Sequence, residues 1–384
     1  MGFASLFMDL SSELIHSLLP VFMVTALGMS MATVGIIEGI AEATASVMKV
    51  FSGALSDYLR RRKFLMVLGY ALAAFTKPVF PLAASIEWVF AARFVDRIGK
   101  GIRGAPRDAL IADISPPGMR GAAYGLRQAL DSVGALLGPS FAIAFMLLLA
   151  DDIRAVMWVS VLPAFISVSL LMRYVREPER MAHVAVKLPL TFADATHLPL
   201  RYWSIVVVGA VFTLARFSEA FLVLRAQNVG LSVGYVPLVL IVMNVFYSLG
   251  AYPAGVAADR LSRGTLLLAG LVVLIIADIV LAAALSPVLV LLGAALWGVH
   301  MALTQGLFSK LVADSAPSEL LGSAFGIFNL VSGGALLLAS LIAGTLWSSL
   351  GPSATFLAGA SFAGVAAAGL ASAVWRRHHA DPAR

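Results

Sequence analysis

Long apolar segments dominate this 384-residue chain and limit what it can fold into. Most of them reach or exceed the roughly 20 residues that an α-helix needs to cross the hydrocarbon core of a bilayer. Helices satisfy their own backbone hydrogen bonds, so an all-α polytopic membrane protein with twelve transmembrane helices is predicted. The segments lie roughly at residues 3–25, 32–56, 64–83, 87–111, 120–149, 153–173, 203–226, 233–258, 265–286, 288–313, 320–348 and 353–375.

Composition supports the membrane class. Hydrophobic residues make up 60% of the chain and charged residues only 12%, whereas soluble domains carry about 25% charged residues. The first segment has no basic leader and carries Asp9 and Glu13 where a signal peptide would be apolar, so we expect it to be retained. The chain has no cysteine, which excludes disulfides, thiolate metal sites and thiol nucleophiles.

Lys and Arg residues collect in alternate connections between the segments. Residues 60–63 are all basic, and several basic residues follow residue 173, whereas the connections near 26–31 and 227–232 carry no Lys or Arg. This is the positive-inside pattern, which predicts that both termini are cytoplasmic. We therefore expect a multi-pass protein of the inner (cytoplasmic) membrane. The net charge of +6 needs no nucleic-acid partner to explain it.

Two connections occur twice in the sequence at nearly the same offset. GALSDYLRRRK (53–63) resembles GVAADRLSRG (255–264), and the loop after the fourth segment resembles the loop after the tenth. Asp57 and Asp259 lie 202 positions apart, and Asp113 and Asp314 lie 201 positions apart. The offset indicates a duplicated six-helix half, and an even number of helices makes the two copies parallel.

The duplication predicts three parts of the chain. We expect an N-terminal six-helix bundle over residues 1–173 and a C-terminal six-helix bundle over residues 203–384. The most polar long connection, residues 174–202, is then a cytoplasmic linker. The two bundles are expected to surround a central cavity, as 6+6 pseudo-repeats do.

The repeated loops resemble the Gly-x-Leu-Ala-Asp-Arg-x-Gly-Arg-Lys signature of the major facilitator superfamily of secondary transporters. Tyr58 and Arg60 depart from that signature. The resemblance implies alternating access, a gating loop that latches one side of the protein, and a monomer. The implied gating-loop residues are Gly53, Asp57, Arg61, Arg62, Lys63, Gly255, Asp259, Arg260 and Arg263.

Ionisable residues inside the apolar segments are the candidates for function, because charges within a membrane normally face a cavity or a partner. At about 100° per residue, Asp9, Glu13 and His16 share a face about 60° wide on the first helix. Met residues lie nearby, so these three side chains could also coordinate a divalent transition metal. The sequence leaves the choice between protons and metal open.

The second and fourth segments carry similar polar faces. Glu38, Glu42 and Lys49 line up on the second helix. On the fourth, Asp96 and Lys100 are spaced as i,i+4 partners, and Asp96 could form a structural ion pair with Arg97 or Lys100. The full set of predicted proton-coupling and substrate residues is Asp9, Glu13, His16, Glu38, Glu42, Asp96, Arg97, Lys100, Arg103, Asp131, Arg216 and Glu219.

The fifth segment contains GALLGP, in which Gly134 and Gly138 form a small face and Pro139 bends the helix. It is similar to the Gly-x-x-x-Gly-Pro signature of proton-coupled antiporters in the superfamily. The resemblance implies that protons enter as substrate leaves.

These features favour a secondary active transporter that exports a small organic compound or drug in exchange for protons. A nickel-, cobalt- or iron-type metal exporter and an organic-anion transporter are alternatives, and a non-transporting receptor or scaffold is a remote one. The chain has no P-loop and no H-E-x-x-H motif. We expect no enzyme activity and no cofactor, with a small-molecule or ion substrate, protons and the lipid bilayer as partners.

Overall fold

Helices make up the regular secondary structure of the residues described in the computed structural model, which are 1–59, 61–177, 196–304, 307–317 and 320–380. Two 3₁₀ turns, Pro117–Met119 and Val233–Tyr235, lie between helices. Numbered in chain order, the α-helices are α1 (Gly2–Thr25), α2 (Met31–Leu59), α3 (Arg62–Thr76), α4 (Val79–Leu82), α5 (Ile86–Ile114), α6 (Arg120–Leu148), α7 (Ile153–Val159), α8 (Val161–Tyr174), α9 (Leu200–Leu214), α10 (Ala220–Asn228), α11 (Leu238–Arg260), α12 (Arg263–Ala283), α13 (Pro287–Thr304), α14 (Leu307–Ser315), α15 (Leu321–Leu350) and α16 (Pro352–Ala380).

Each predicted apolar segment coincides with one helix or with two consecutive helices. Within the described residues, nine helical stretches are long and apolar enough to cross a membrane. Helix α5 is not among the nine, because charged side chains interrupt its apolar sequence. The predicted all-helical fold with many membrane spans is confirmed.

Within the described residues, three spans are interrupted where the sequence predicted continuous helices. Pro78 lies directly after Lys77, between α3 and α4. Between α7 and α8 the break is at Ser160, because the Pro163 ring cannot fit against the backbone carbonyl one turn earlier in a regular helix. Residues 215–219 separate α9 from α10 without a proline. There the Ser218 hydroxyl accepts a hydrogen bond from the Ala220 N–H at 3.3 Å, which satisfies a backbone donor at the start of α10.

The helix contacts divide the chain into two compact units. Residues 178–195, most of the predicted linker, lie outside the described part of the chain. The division into residues 1–173, 174–202 and 203–384 therefore stays a prediction. The first unit comprises Met1–Met29, Ile40–Thr191 and Ser232–Leu238, and the second comprises Ser30–Gly39, Phe192–Leu231 and Val239–Arg384.

The same packing pattern occurs in both units. In the first unit, α1 packs against α6 and α8, and α3 packs against α5 and α8. In the second unit, α9 packs against α15 and α16, and α12 packs against α13 and α16. These are corresponding helices of the two sequence repeats, so the duplication read from the loops extends to the packing inside each unit.

Glycines allow the backbones of α3 and α5 to approach closely. A Cβ atom built at Gly99 would lie 2.5 Å from the carbonyl oxygen of Gly69, and one built at Gly69 would lie 2.6 Å from the carbonyl oxygen of Gly99. Small residues at helix crossings are how membrane helices gain close contact. This crossing fixes the face of α5 that carries Asp96 and Arg103.

We expect Gly99→Ala to lower the melting temperature of the purified protein in detergent. The added methyl group would force α3 and α5 apart, and overpacking of this kind costs about 1–3 kcal/mol. Gly104→Ala on the same helix is the matched control, because a Cβ there meets no atom within 4 Å. Equal melting temperatures for the two variants would contradict this account of the crossing.

Candidate functional site

Charged and polar side chains from α1, α2, α3 and α5 of the first unit lie together. An ionisable side chain in mid-membrane costs roughly 2.5–3.5 kcal/mol on insertion scales, so the contacts that offset this cost are informative. We call the following residues the charged cluster: Asp9, Glu13, His16, Glu42, Lys77, Arg93, Asp96, Arg97, Lys100 and Arg103.

The three ionisable residues of α1 divide between two partners. His16 Nδ1 lies 3.4 Å from Glu13 Oε2, one turn away on the same helix. Asp9 Oδ1 lies 3.6 Å from the Arg103 Nη2 atom on α5. The structure therefore brings Glu13 and His16 together, while Asp9 faces a guanidinium from a neighbouring helix.

The predicted stripe on α2 does not act as one surface. Glu42 Oε1 lies 3.1 Å from Arg97 Nη1 and 4.0 Å from Arg93 Nη2. Glu38 belongs to the second unit, where it is buried and its Oε2 atom lies 3.4 Å from the Ser218 hydroxyl. Lys49 is exposed. Of the three, Glu42 joins the charged cluster.

A buried ion pair between α3 and α5 adds a partner that the sequence did not predict. Asp96 was expected to pair with Arg97 or Lys100 on its own helix, and its Oδ2 atom does lie 3.8 Å from Nε of Arg97, but its Oδ1 atom lies closer to Lys77, 2.8 Å from Nζ. The Lys77 ammonium also donates to the Ser12 hydroxyl at 3.0 Å. Lys77 lies at the end of α3, where the helix break lets its side chain reach Asp96.

Asp96 also connects this ion pair to Glu42. Its Oδ2 atom lies 3.8 Å from Nε of Arg97, the same guanidinium whose Nη1 atom contacts Glu42. A chain of polar contacts therefore runs from Lys77 through Asp96 and Arg97 to Glu42. In this series of contacts, Lys77 holds Asp96, and Asp96 in turn positions Arg97.

Arginines of α5 contact an aromatic ring and a hydroxyl group as well as carboxylates. The Arg103 guanidinium lies over the Tyr70 ring, 4.6 Å from its centroid. The Tyr70 and Ser5 hydroxyls are 2.9 Å apart. Arg107 Nη1 donates to the same Ser5 hydroxyl at 2.9 Å. These contacts hold Arg103 against Asp9, because a stacked guanidinium keeps a fixed orientation.

Asp131 on α6 receives two arginines. Its Oδ2 atom lies 2.8 Å from Arg127 Nη1, one turn away, and 3.6 Å from Arg107 Nη1 on α5. This pairing explains a carboxylate within an apolar segment and links α6 to α5. It leaves Asp131 in a smaller network beside the charged cluster.

Lys100 differs from the other cations of α5. It is exposed, and among the described residues it has no carboxylate within 4.0 Å. It still lies within electrostatic range of Glu42, Glu13 and Asp9. The residue is therefore exposed and lies within electrostatic range of three carboxylates, and in the described part of the chain it forms an ion pair with none of them.

Sequence reasoning missed Lys77, Tyr70 and the serines that contact them. Lys77 could have been found, because it is a lysine inside the apolar segment 64–83 and directly precedes a proline. Tyr70, Ser5 and Ser12 carry no charge and resemble ordinary residues of membrane helices. Their roles depend on which helices are neighbours, which a single sequence does not state.

The glycines of the predicted α6 motif lie directly behind the acidic residues of α1. A Cβ built at Gly134 would lie 2.6 Å from the Leu6 carbonyl oxygen and 3.1 Å from the Asp9 Cβ. A Cβ built at Gly138 would lie 2.8 Å from the Glu13 Cβ. These glycines thus set how far α1 stands from α6, and Pro139 follows them inside the helix.

The two repeated loops form the same ion pair. Arg62 contacts Asp113 in the first unit, and Arg263 contacts Asp314 in the second. Each pair joins the helix after the repeated loop to the end of the fourth helix of its repeat. The positions correspond in the two repeats, so the duplication preserves a specific contact.

Other predicted gating residues have less regular surroundings. The backbone N–H groups of Arg62 and Lys63 donate to the carboxylate of Glu177 at 2.7 and 2.9 Å, and Lys63 Nζ donates to the Met172 carbonyl at 3.1 Å. Arg61 and Arg260 are exposed.

The glycine and aspartate positions that occur in both repeated loops differ in what the structure describes. A Cβ at Gly53 would touch Ala105 at 3.6 Å, whereas one at Gly255 meets nothing within 4 Å. The side chains of Asp57 and Asp259 lie outside the described residues.

Arg216 and Glu219, predicted to lie on a helix, instead lie in the break between α9 and α10 of the second unit. Both are half-buried, and Arg216 is within electrostatic range of Glu219 and Tyr247. An interrupted membrane helix exposes backbone groups that a continuous helix would satisfy. This break is the polar feature of the second unit that most resembles a ligand site.

No group of three or more His, Asp or Glu residues placed to hold a metal ion occurs within the described part of the chain. His16 lies against Glu13, whereas Asp9 is occupied by Arg103. The suggested Asp9, Glu13 and His16 ligand set is therefore not assembled in this structure.

The sequence profile of the Major Facilitator Superfamily matches residues 1–225 and residues 207–384. The chain belongs to the Major Facilitator Superfamily. An uncharacterized MFS-type transporter of Methanocaldococcus jannaschii is 32% identical over 372 residues, which cover 94% of this chain and 91% of that protein. An uncharacterized protein of Mycobacterium bovis is 28% identical over 312 residues, 80% of this chain and 76% of that protein.

Solved structures of the superfamily have the same fold. A mutant of the nucleoside transporter NupG superposes with a TM-score of 0.80 at 13% identity and covers 97% of this chain and 98% of its own. The human organic anion transporter MFSD10 gives a TM-score of 0.66 at 19% identity, over 96% and 97% of the two chains. The protein is a multi-pass membrane transporter and not an enzyme.

We expect Lys77→Met to destabilise this superfamily member strongly. The substitution leaves the Asp96 carboxylate buried without its closest cation, and breaking a buried pair in this way costs about 3–5 kcal/mol. Adding Asp96→Leu to Lys77→Met should recover most of the lost melting temperature, while Lys49→Met, at an exposed lysine, should change little. A double variant as unstable as Lys77→Met alone would contradict the pairing.

Proposed function

We propose that this transporter exports small organic compounds in exchange for protons, and that Glu13 and Glu42 of the charged cluster bind the coupled protons. The observation that carries the proposal is the arrangement of accessible carboxylates around Lys100. Membership of the superfamily supports secondary transport in general. The proton coupling, the direction of transport and the substrate class go beyond that membership and belong to the proposal.

Accessibility separates Glu13 and Glu42 from the buried carboxylate of Asp96. Their side chains keep 25% and 28% of their surface exposed, whereas Asp96 keeps 6%. A proton carrier must exchange with water, so Asp96 with its lysine partner is better suited to holding α3 and α5 together. Glu13 and Glu42 also share Arg97 and Lys100 as electrostatic neighbours.

Charge balance gives a simple mechanism for antiport. When Glu13 or Glu42 takes up a proton, the negative charge opposite Lys100 and Arg97 decreases and the site becomes more positive. A substrate carrying a positive group then binds less well, so the proton and the substrate compete for the same carboxylates. One proton moving down a potential of 100 mV supplies about 2.3 kcal/mol, which is enough to drive a considerable gradient.

The position of the α6 motif supports the export direction. The motif resembles that of proton-coupled antiporters, and Gly138 packs directly behind Glu13. Close packing at this point would let a shift of α1 move Glu13. The basic loops support a location in the inner membrane with both termini in the cytoplasm, and a monomer is the expected state for this superfamily.

An organic anion is the second candidate substrate, and Lys100 is the observation that favours it. Its exposed ammonium has no carboxylate within 4.0 Å among the described residues and is therefore available to an anionic group. The solved human relative MFSD10 is named an organic anion transporter. With an anion, protonation of Glu13 would strengthen binding, so protons and substrate would move together.

A divalent metal ion has less support than either organic class. Of the predicted ligands on α1, Asp9 contacts Arg103 while Glu13 and His16 contact each other, and three His, Asp or Glu residues placed for a metal do not occur within the described ranges. Growth of an expressing strain on nickel, cobalt, iron and drug panels would separate metal resistance from drug resistance.

We expect Glu13→Gln and Glu42→Gln each to reduce proton flux driven by ethidium, a lipophilic cation, in proteoliposomes. The amide keeps the size of the side chain but cannot carry the proton, and the coupling should fall at least about tenfold. Glu87→Gln is the matched control, since Glu87 is an exposed carboxylate in the first turn of α5. Unchanged flux in both cluster variants would refute the assigned proton carriers.

Lys100→Gln distinguishes the two organic substrate classes. If the substrate is an anion, carboxyfluorescein transport should fall about tenfold in Lys100→Gln and be kept in Lys100→Arg, because a cation remains. If the substrate is a cation, ethidium transport should survive Lys100→Gln. Lys49→Gln, also at an exposed lysine, serves as the control for surface charge. Loss of both probes in every Lys100 variant would oppose both assignments.

A further inference from the structure

A single carboxyl group lies inside the most apolar span of the second unit. Asp278 is in the last third of α12, whose sequence around it is LVVLIIADIVLAA. The span has a mean hydropathy of 2.9, the highest of the nine membrane-crossing stretches in the described residues. The side chain of Asp278 is fully buried. Neither the charged cluster nor the proposed coupling mechanism uses this residue.

Each oxygen of the Asp278 carboxyl group has a different environment. The Trp297 indole on α13 donates its Nε1–H to Oδ1 at 3.0 Å. The Oδ2 atom has no hydrogen-bond partner among the described residues. A Cβ built at Gly359 on α16 would lie 2.5 Å from Oδ2 and 2.9 Å from Cε1 of Phe217. Oδ2 therefore lies against Gly359, and the Phe217 ring packs on the same glycine.

The helices packed against α12 place no charge beside this carboxyl group. On α13, the one titratable side chain facing α12 is His300, whose Nδ1 atom is 2.7 Å from the Gly270 carbonyl oxygen. Helix α16 has no titratable residue from 352 to 371. No charged side chain in the described part of the chain acts on Asp278, whose neighbouring polar group is the Trp297 indole.

Nearby cations of the second unit are engaged elsewhere. Arg225 on α10 donates to the carbonyl oxygens of Leu281, Ala282 and Ala284 at the end of α12, at 2.7–3.3 Å. Arg216, in the break between α9 and α10, is within electrostatic range of Glu219. Among the residues that the structure describes, the carboxyl group of Asp278 thus has no counter-charge.

Asp278 therefore differs in kind from the acidic residues of the charged cluster. Asp9, Glu42 and Asp96 each have an arginine or lysine nitrogen within 4.0 Å, and Glu13 has His16. An ionised carboxylate with one hydrogen bond and no cation is very costly in an apolar interior, and the neutral acid avoids that cost. The unpartnered Oδ2 is the atom available to hold the proton.

We propose that Asp278 is a second proton-binding site of the transporter, separate from the charged cluster, with its proton on Oδ2 and its Oδ1 held by the Trp297 indole. The site lies beside the interrupted α9–α10 span, because Phe217 from that break covers the same place as Gly359. A rearrangement of the break that moves Phe217 would open Oδ2 and let the proton leave. The use of this proton in transport rests on the proposed proton coupling.

Infrared difference spectroscopy of the purified protein tests the protonation directly. We expect the wild-type protein to show the carbonyl band of a buried protonated carboxyl group at neutral pH, and Asp278→Asn to lose it. Trp297→Phe should keep the band and shift it to higher frequency, because the indole no longer donates to the carbonyl oxygen. Glu87→Gln, at an exposed carboxylate, should leave the band unchanged. A wild-type spectrum without a band that depends on Asp278 would overturn the proposal.

Exchange of the proton during transport is tested with ethidium in proteoliposomes. Asp278→Asn should keep ethidium exchange at zero proton gradient, within about twofold of wild type, but lower by about one the number of protons moved per ethidium. An unchanged ratio would mean a fixed structural acid and would overturn the proposal, and so would a band that never exchanges in D₂O. Should Asp278→Asn not fold, exchange in D₂O of the shifted carboxyl band of Trp297→Phe decides the same question.

The outcomes also separate this site from the charged cluster. If Glu13→Gln and Glu42→Gln leave the flux unchanged while Asp278→Asn reduces it, the proposed coupling site fails and the Asp278 site stands. If the cluster variants reduce the flux and Asp278→Asn does not, the coupling proposal stands and the Asp278 site fails.

Discussion

Matching of charges inside an apolar protein is the constraint on which the first unit depends. The Lys77–Asp96 pair lies between α3 and α5 with both side chains almost fully buried, at 2.8 Å. Neither ion would be tolerated alone, because an unpaired buried charge is far more costly than a paired one. The crossing at Gly69 and Gly99 brings the two helices close enough for this pair to form. The position of Asp96 in turn sets where the Arg97 guanidinium meets Glu42.

The duplication explains why the same contacts appear in two places. Arg62 and Asp113 in one unit, and Arg263 and Asp314 in the other, pair the corresponding positions of each repeat. The packing partners of the helices also correspond. The charged cluster has no such counterpart among the described residues of the second unit, which carries an aromatic cluster around Phe217 and Trp297 instead. The two repeats share the same helix packing but differ in the side chains that it encloses.

Local patterns in the sequence predicted the features that depend on neighbouring positions. Apolar length identified the membrane spans, and the spacing of Glu13 and His16 predicted that they share a face. The failures involve partners far apart in the chain. Asp96 was given partners on its own helix, Arg97 or Lys100, because a single sequence cannot show that the end of α3 brings Lys77 closer. The break at residues 215–219 has no proline, and it depends on Ser218 and on the packing of Phe217.

The two kinds of acid in this protein suit different parts of a transport cycle. A carboxylate beside cations in water-accessible surroundings, such as Glu42, exchanges protons with water and responds to a substrate that changes the local charge. A carboxyl group without a cation, such as Asp278, responds to whether its surroundings are apolar or open to water. The charge of an acid such as Glu42 thus depends on what is bound, and the protonation of an acid such as Asp278 depends on whether the helices around it exclude water. A transporter needs both responses, because alternating access requires that binding and conformation be coupled. The difference in counter-charge between the units gives a physical basis for that division.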